Sequence, residues 1–203
     1  DGTLSAIDFG TDGDTGGTFF DSGFRAINPL SGPWFFKLSE ALSGLAPYNI
    51  QNIGGTLFVT FAKPNSSQTD EVGGAGLGLV AAFTPTGQLL KVFEHGSWLN
   101  APWGLALAPG DFGTFSHCLL VGQFRSGQIA AYNVVSGKFV GMVQDTDGNA
   151  INIPGLWGLS FGNNQKAGSS TTLYFAAGPN KEASGLFGSL TPAATDQVLG
   201  NGN

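Results

Sequence analysis

The residues of this chain that could do chemistry are few, and they fall in polar loops. Glu71 and Glu182 each stand shortly before a glycine-led apolar run, in Asp70-Glu71-Val72-Gly73-Gly74 and Glu182-Ala183-Ser184-Gly185. Carboxylates recurring at such a place could converge on a metal or a polar ligand. They could equally be solvated loop charges or turn caps. His95 has the chemistry of a general base or a metal ligand, and also that of a hydrogen-bonded structural residue. Trp98 offers an apolar face with a polar edge, on which a sugar ring can stack. Arg125 adds the cation of the set. Together Glu71, His95, Trp98, Arg125 and Glu182 are the candidate ligand-binding residues.

Two segments invite a calcium reading. One runs from Asp8 to Gly16 with Asp8, Asp12 and Asp14; the other is Asp145-Thr146-Asp147-Gly148-Asn149. Neither completes the calcium-binding loop of a helix–loop–helix hand, which ends on a glutamate. Asp-Gly and Gly-Asn pairs are also ordinary turn chemistry. Asp145 and Asp147 are the candidate metal ligands, Ca2+ is the ion they would take, and no other cofactor is expected. No Gly-x-Ser-x-Gly elbow is present, so no catalytic residue is assigned. Gly73 to Gly78 is glycine-rich but leads into a strand pattern and lacks the Lys-Ser/Thr of a phosphate loop. No histidine–cysteine spacing suits zinc.

The composition narrows the class. Charged residues make up 11 % of the chain, the net charge is −6 and the pI is near 4.6. No lysine–arginine cluster exists, which argues against nucleic acid. No apolar run reaches the roughly 18 residues of a membrane span. Cys118 is the single cysteine and sits in an apolar run, so a buried structural thiol is expected and no intrachain disulfide can form. Asn65-Ser66-Ser67 is a glycosylation candidate in a polar loop, which leans toward a secreted protein. The first residue is Asp1 and not Met, so a removed leader or an internal proteolytic start is expected.

The elements that must position these residues come from a repeat. Tyr48-Asn49-Ile50, Trp103-Gly104-Leu105 and Trp157-Gly158-Leu159 open equivalent units at spacings of 55 and 54 residues. Each unit has a second run (Leu57 to Ala62, Leu119 to Phe124, Leu173 to Gly178) and a third (Gly78 to Phe83, Gly127 to Tyr132, Gly185 to Leu190). Outer strands follow at Gln88 to Phe93 and Lys138 to Val143. Short β-rich runs bounded by glycine and proline turns, repeated at this period, predict an all-β chain of four-stranded antiparallel β-propeller blades. Gly2 to Ile7 is a further third strand, and Thr18 to Phe24 its outer strand. The expected order is a half blade (1–30), two blades (46–95 and 101–145), a three-stranded incomplete blade (154–192) and a polar tail (193–203). Leu38 to Leu45 could form one helical turn.

That is only about three and a half blades, whereas propellers typically have about 4 to 8. A half-ring is expected to bare both terminal blade faces. The remaining blades in another chain or fragment, or self-association, would cover them.

Several segments resemble a known family. They are Ala46-Pro47-Tyr48-Asn49-Ile50-Gln51-Asn52-Ile53-Gly54-Gly55, Leu99-Asn100-Ala101-Pro102-Trp103-Gly104-Leu105-Ala106-Leu107-Ala108-Pro109, Gly155-Leu156-Trp157-Gly158-Leu159-Ser160-Phe161-Gly162-Asn163 and Tyr174-Phe175-Ala176-Ala177-Gly178-Pro179-Asn180. They are similar to segments of an uncharacterised family of secreted β-propeller-like proteins. Some of its bacterial members carry a C-terminal PEP-CTERM sorting signal, which this chain lacks. The resemblance covers roughly residues 35 to 192. It implies a longer parent and no known reaction. The expectation is therefore a secreted or extracellular, non-catalytic propeller module with a structural or recognition role toward protein or carbohydrate. The alternative is a metal-dependent propeller hydrolase or lyase with a rim site.

Overall fold

The computed structural model describes residues 44–193 apart from residue 68, and the backbone pairing of three short strands before them. Those strands are β1 (Ile7–Asp8), β2 (Phe24–Ala26) and β3 (Phe35–Phe36), an antiparallel sheet in the order β1-β2-β3. Most of the expected half blade, of the acidic segment after Asp8, of the expected helical turn over residues 38–45 and of the polar tail lies outside the described residues.

From Ala46 onward the chain folds as successive antiparallel blades. The first blade holds β4 (Ala46–Ile53), β5 (Thr56–Pro64), β7 (Gly78–Phe83) and β8 (Leu89–Val92), with β6 (Glu71–Val72) paired to the end of β5. The middle blade is β9 (Pro102–Leu107), β10 (Cys118–Gln123), β11 (Ile129–Asn133) and β12 (Phe139–Met142). The last blade has three strands, β13 (Leu156–Phe161), β14 (Leu173–Ala177) and β15 (Leu186–Leu190). This is an all-β chain of propeller blades, with no closed barrel among the described residues.

Local chemistry explains the hairpins. Ile53 pairs with Thr56, leaving Gly54 and Gly55 as a two-residue turn with φ of +59° and +86°. A two-residue turn with positive φ at both centres matches the twist of the strands it joins, and glycine adopts it without steric cost. The third and outer strands use another device, twice. Gly87 donates to the carbonyl of Thr84, and Gly137 to that of Asn133, and each turn is followed by a register shift in the hairpin.

The core lies between blades. Phe58, Val80 and Ala82 of the first blade pack with Leu105, Leu119, Val121 and Tyr132 of the middle one. Leu120, Ile129 and Ala131 of the middle blade pack with Leu156, Leu159, Leu173 and Phe175 of the last. Each blade thus has a forward face and a receiving face, set by the alternation of side chains along its strands. β10 is buried at every position because the middle blade is covered on both sides. Cys118 is buried there as a free thiol, and burial pushes its ionisation up. The expectation of two bare terminal faces is corrected at one end. The first blade's receiving face (Val59, Leu79, Phe83) is buried, whereas among the described residues the last blade's forward face is open.

Candidate functional site

Three aromatic residues at equivalent positions meet where the innermost strands converge. Tyr48 lies near the start of β4, and Trp103 and Trp157 near the starts of β9 and β13. The Tyr48 and Trp103 rings are edge to face with centroids 4.6 Å apart, and Trp103 and Trp157 repeat this at 4.7 Å. Phe124, just past β10, lies 4.3 Å from the Trp157 ring. Such pairs add about 0.5–1.5 kcal/mol each beyond area burial. Wedge-shaped packing of blades forces the convergence, because residues of equal register approach one another at the inner edge. Asn49 shows the same geometry, donating from Nδ2 to the Trp103 carbonyl 54 residues on, at 2.9 Å.

A charged group closes the cluster into a circuit. The Arg125 guanidinium lies 5.1 Å over the Phe124 ring. Its Nε contacts Glu71 Oε1 at 2.5 Å, and its Nη2 donates to the Glu71 carbonyl at 3.2 Å. The same Nη2 stands 3.7 Å from Asp70 Oδ2. The Glu71 carboxyl in turn borders the Tyr48 hydroxyl. Two local features hold the ion pair. β6 seats Glu71 against the end of β5, opposite Pro64. Gly73 leaves room for the arginine stem, since a Cβ there would come within 3.0 Å of Arg125 Cβ and Cγ.

Burial sets the electrostatics. The Glu71 side chain is 3 % exposed, against 40 % for Arg125 and 62 % for Asp70. Desolvation pushes the Glu71 carboxyl up, and the hydrogen bond shared with Asp70 adds to it, while Tyr48 and Arg125 oppose. Burial, then the neighbouring Glu71, pushes the Tyr48 hydroxyl above its ordinary range, so it stays protonated. The circuit offers aromatic surface, one half-exposed guanidinium and an exposed carboxylate. That set suits stacking and directed hydrogen bonding.

The other rim residues have separate partners. His95 is exposed and donates from Nε2 to the Gly76 carbonyl at 2.9 Å. Trp98 donates from Nε1 to the Tyr132 hydroxyl at 2.6 Å and stacks on Phe139 at 3.9 Å, so it packs between the first and middle blades. Glu182 is exposed at the end of three successive residues with positive φ, Asn180, Lys181 and Glu182. Asp145 is a turn residue: its Oδ1 accepts from the backbone N–H of Asp147 at 3.0 Å and of Asn149 at 2.9 Å. These bonds, that to Asn149 foremost, hold its carboxyl below the usual range. Asp147 is exposed in the same turn. No group of three or more His, Cys, Asp or Glu among the described residues is placed to hold a metal ion. Asn65 is half-buried at a surface turn, with its Oδ1 accepting from the Thr69 N–H at 3.0 Å.

Of the five predicted ligand-binding residues, then, the structure joins Glu71 to Arg125. Sequence reasoning missed Tyr48 and Phe124 as their neighbours, and the buried Gln123, whose Oε1 accepts from the Asn100 N–H at 2.8 Å. The period carried no signal for the Glu71–Arg125 pair: the second runs of the first and middle units are offset by 62 residues and the third runs by 49, so the two residues share no register.

The fold and this circuit define a class, a propeller-type repeat protein with an aromatic and ionic inner rim. No family model matches the chain. It is 32 % identical over 154 residues to one uncharacterized protein of Acanthamoeba polyphaga mimivirus, covering 75 % of this chain and 39 % of that protein. It is 37 % identical over 116 residues to another from the same virus, covering 57 % of this chain and 22 % of that protein. The chain therefore spans well under half the length of these relatives. Among solved structures it is similar to Kuenenia stuttgartiensis hydrazine synthase (TM-score 0.45, 13 % identity, 76 % of this chain and 35 % of that one). It is also similar to virginiamycin B lyase from Staphylococcus aureus (TM-score 0.33, 12 % identity, 73 % and 56 %). Neither likeness bears on function. No helix among the described residues is long and apolar enough to cross a membrane.

Proposed function

We propose that this chain is a non-catalytic propeller module with a structural or recognition role, one part of a larger propeller or assembly. The observation that supports it is where the rim side chains are engaged. His95 is bonded to backbone, Trp98 is stacked between blades, and Glu71 is nearly buried against Arg125. These contacts brace the scaffold. Recognition falls to the half-exposed part of the circuit, Arg125 and Asp70 beside Phe124 and Trp157, whose chemistry suits a carbohydrate or a protein loop. Action outside the cell is supported by the Asn65 glycosylation candidate in a surface turn.

Metal content measured on the purified protein, beside hydrolase and lyase assays, tests the reading. We expect no stoichiometric metal and no turnover. Bound metal, together with turnover lost in Glu71→Ala, His95→Ala or Glu182→Ala, would overturn it in favour of a metal-dependent enzyme.

A further inference from the structure

The last blade bares a face that both earlier blades have covered. In repeat register, Val80 and Ala82 of the first blade correspond to Ile129 and Ala131 of the middle one, and these to Phe187 and Ser189 of the last. Phe58 and Leu120 likewise correspond to Tyr174. The first two sets are buried against the blade that follows. Tyr174 pairs across the strands with Ser189, and Ala176 with Phe187, which sets all four on one face of the sheet. Among the described residues no blade follows the last one. Ile129 is 0 % exposed, and its equivalent Phe187 is 74 % exposed. The Tyr174 ring stacks on Phe187 with centroids 5.8 Å apart and planes 9° apart, so the two aromatics form one apolar patch. Among the described residues β15 is also an open edge, because none of them pairs with it in the place that β8 and β12 take in the other blades.

We infer that the Tyr174–Phe187 face is a docking surface for a further propeller blade, one that presents an aliphatic receiving face like Leu119–Val121 or Leu173–Phe175. This deepens the assembly part of the proposed function and rests on it. Continuity selects the occupant: among the described residues both inter-blade contacts set a forward face on a receiving face. A second copy of the chain does not fit that role. Among the described residues its terminal receiving face, Val59, Leu79 and Phe83, is already buried. The relatives of this repeat are also longer than this chain.

The test extends the full chain in its own phase. Leu190 occupies the place of Tyr132, so a second copy of residues 133–190 inserted after Leu190 supplies an outer strand and then a following blade. A control insertion of residues 133–145 supplies the outer strand alone. Phe187→Asp and Phe187→Ile are made in the parent chain and in both extended proteins. Burying an unpaired carboxylate is costly, so Phe187→Asp should lower the melting temperature of the blade-extended protein by at least about 5 °C. Phe187→Ile should be tolerated there. In the parent and the strand-only control, Phe187→Asp should shift it by about 1 °C or less. Equal shifts in all three proteins, or an added blade whose amides exchange as fast as unfolded chain, would overturn the inference. A parent chain that sediments as a dimer and is made monomeric by Phe187→Asp would also overturn it, assigning the face to a second copy. Discovery of metal-dependent turnover would remove the non-catalytic reading without changing any of these outcomes.

Discussion

The middle and last blades share one repeat yet carry different packing. Gly104 on β9 and Gly158 on β13 occupy equivalent places. A Cβ on Gly104 would come within 2.5 Å of the Trp157 carbonyl oxygen, while one on Gly158 would meet nothing within 4 Å. Gly127 and Gly185 show the same contrast: the first is crowded by the Ile153 backbone at 2.4 Å and the second is open. Gly104 is thus required by the neighbouring blade and not by its own strand, and Gly127 by both, since its φ of +69° is itself one that glycine favours. Where a blade is followed by another, they permit the close approach of two backbones; at the last blade that demand is absent.

Substitutions at paired positions can break this comparison. The largest effect is expected in the core. Leu120→Ala opens a cavity between the middle and last blades and should cost about 3 kcal/mol, read from denaturant midpoints. Tyr174→Ala, at the equivalent place on the open face, should cost about 1 kcal/mol or less. Equal losses would mean that the two faces are buried alike in solution.

Next come the glycines. Gly104→Ala should cost about 2 kcal/mol, because a backbone oxygen cannot move aside as a flexible side chain can. Gly158→Ala should stay within about 0.5 kcal/mol of the parent, by thermal or chemical denaturation. Once a following blade is docked, Gly158→Ala should become as costly as Gly104→Ala, which ties this pair to the inferred interface.

The smallest effect is electrostatic and sharpens a second contrast. Arg125 reaches back to Glu71 of the first blade, so the ionic brace belongs to the junction between the first and middle blades. Burial raises the Glu71 carboxyl, so the folded state holds its proton more tightly than the unfolded chain does. The stabilising contribution is therefore complete below the ordinary glutamate range and is lost as pH rises through the raised value. Melting curves from about pH 4 to pH 8 should show the parent losing stability relative to Glu71→Gln as pH rises. A margin that widens with pH would mean that the pairing with Arg125 outweighs desolvation.

Much of the fold was legible in the sequence. Tyr48, Trp103 and Trp157 announced the innermost strands, and the Gly54-Gly55 turn fell between two apolar runs as the hairpin rule requires. The short outer strands at Leu89–Val92 and Phe139–Met142 sat inside their expected ranges. The candidate site was less legible. Glu71 and Arg125 read as separate loop charges in the sequence, because the loops that hold them differ in length between the two blades and Glu71 reaches Arg125 only through the pairing of β6 with the end of β5. Trp98 has the chemistry of a stacking platform for a ligand, whereas in the structure its ring lies on Phe139 and its N–H on Tyr132. Side-chain type alone does not distinguish an aromatic ring facing a ligand from one facing the next blade.

The sequence by itself determined the period, the strand order and the phase at which the repeat runs through the chain. Those features depend on turn residues and on short β-forming runs, which act over a few residues. Only the tertiary structure decided which faces are covered and which equivalent residues touch. Burial is a property of a strand and its neighbour together, so β10 is buried on both faces while β15 is largely exposed. The same physics joins Tyr48, Trp103 and Trp157 into one cluster: three separate aromatic positions in the sequence become a single site because wedge-shaped blades bring their inner edges together.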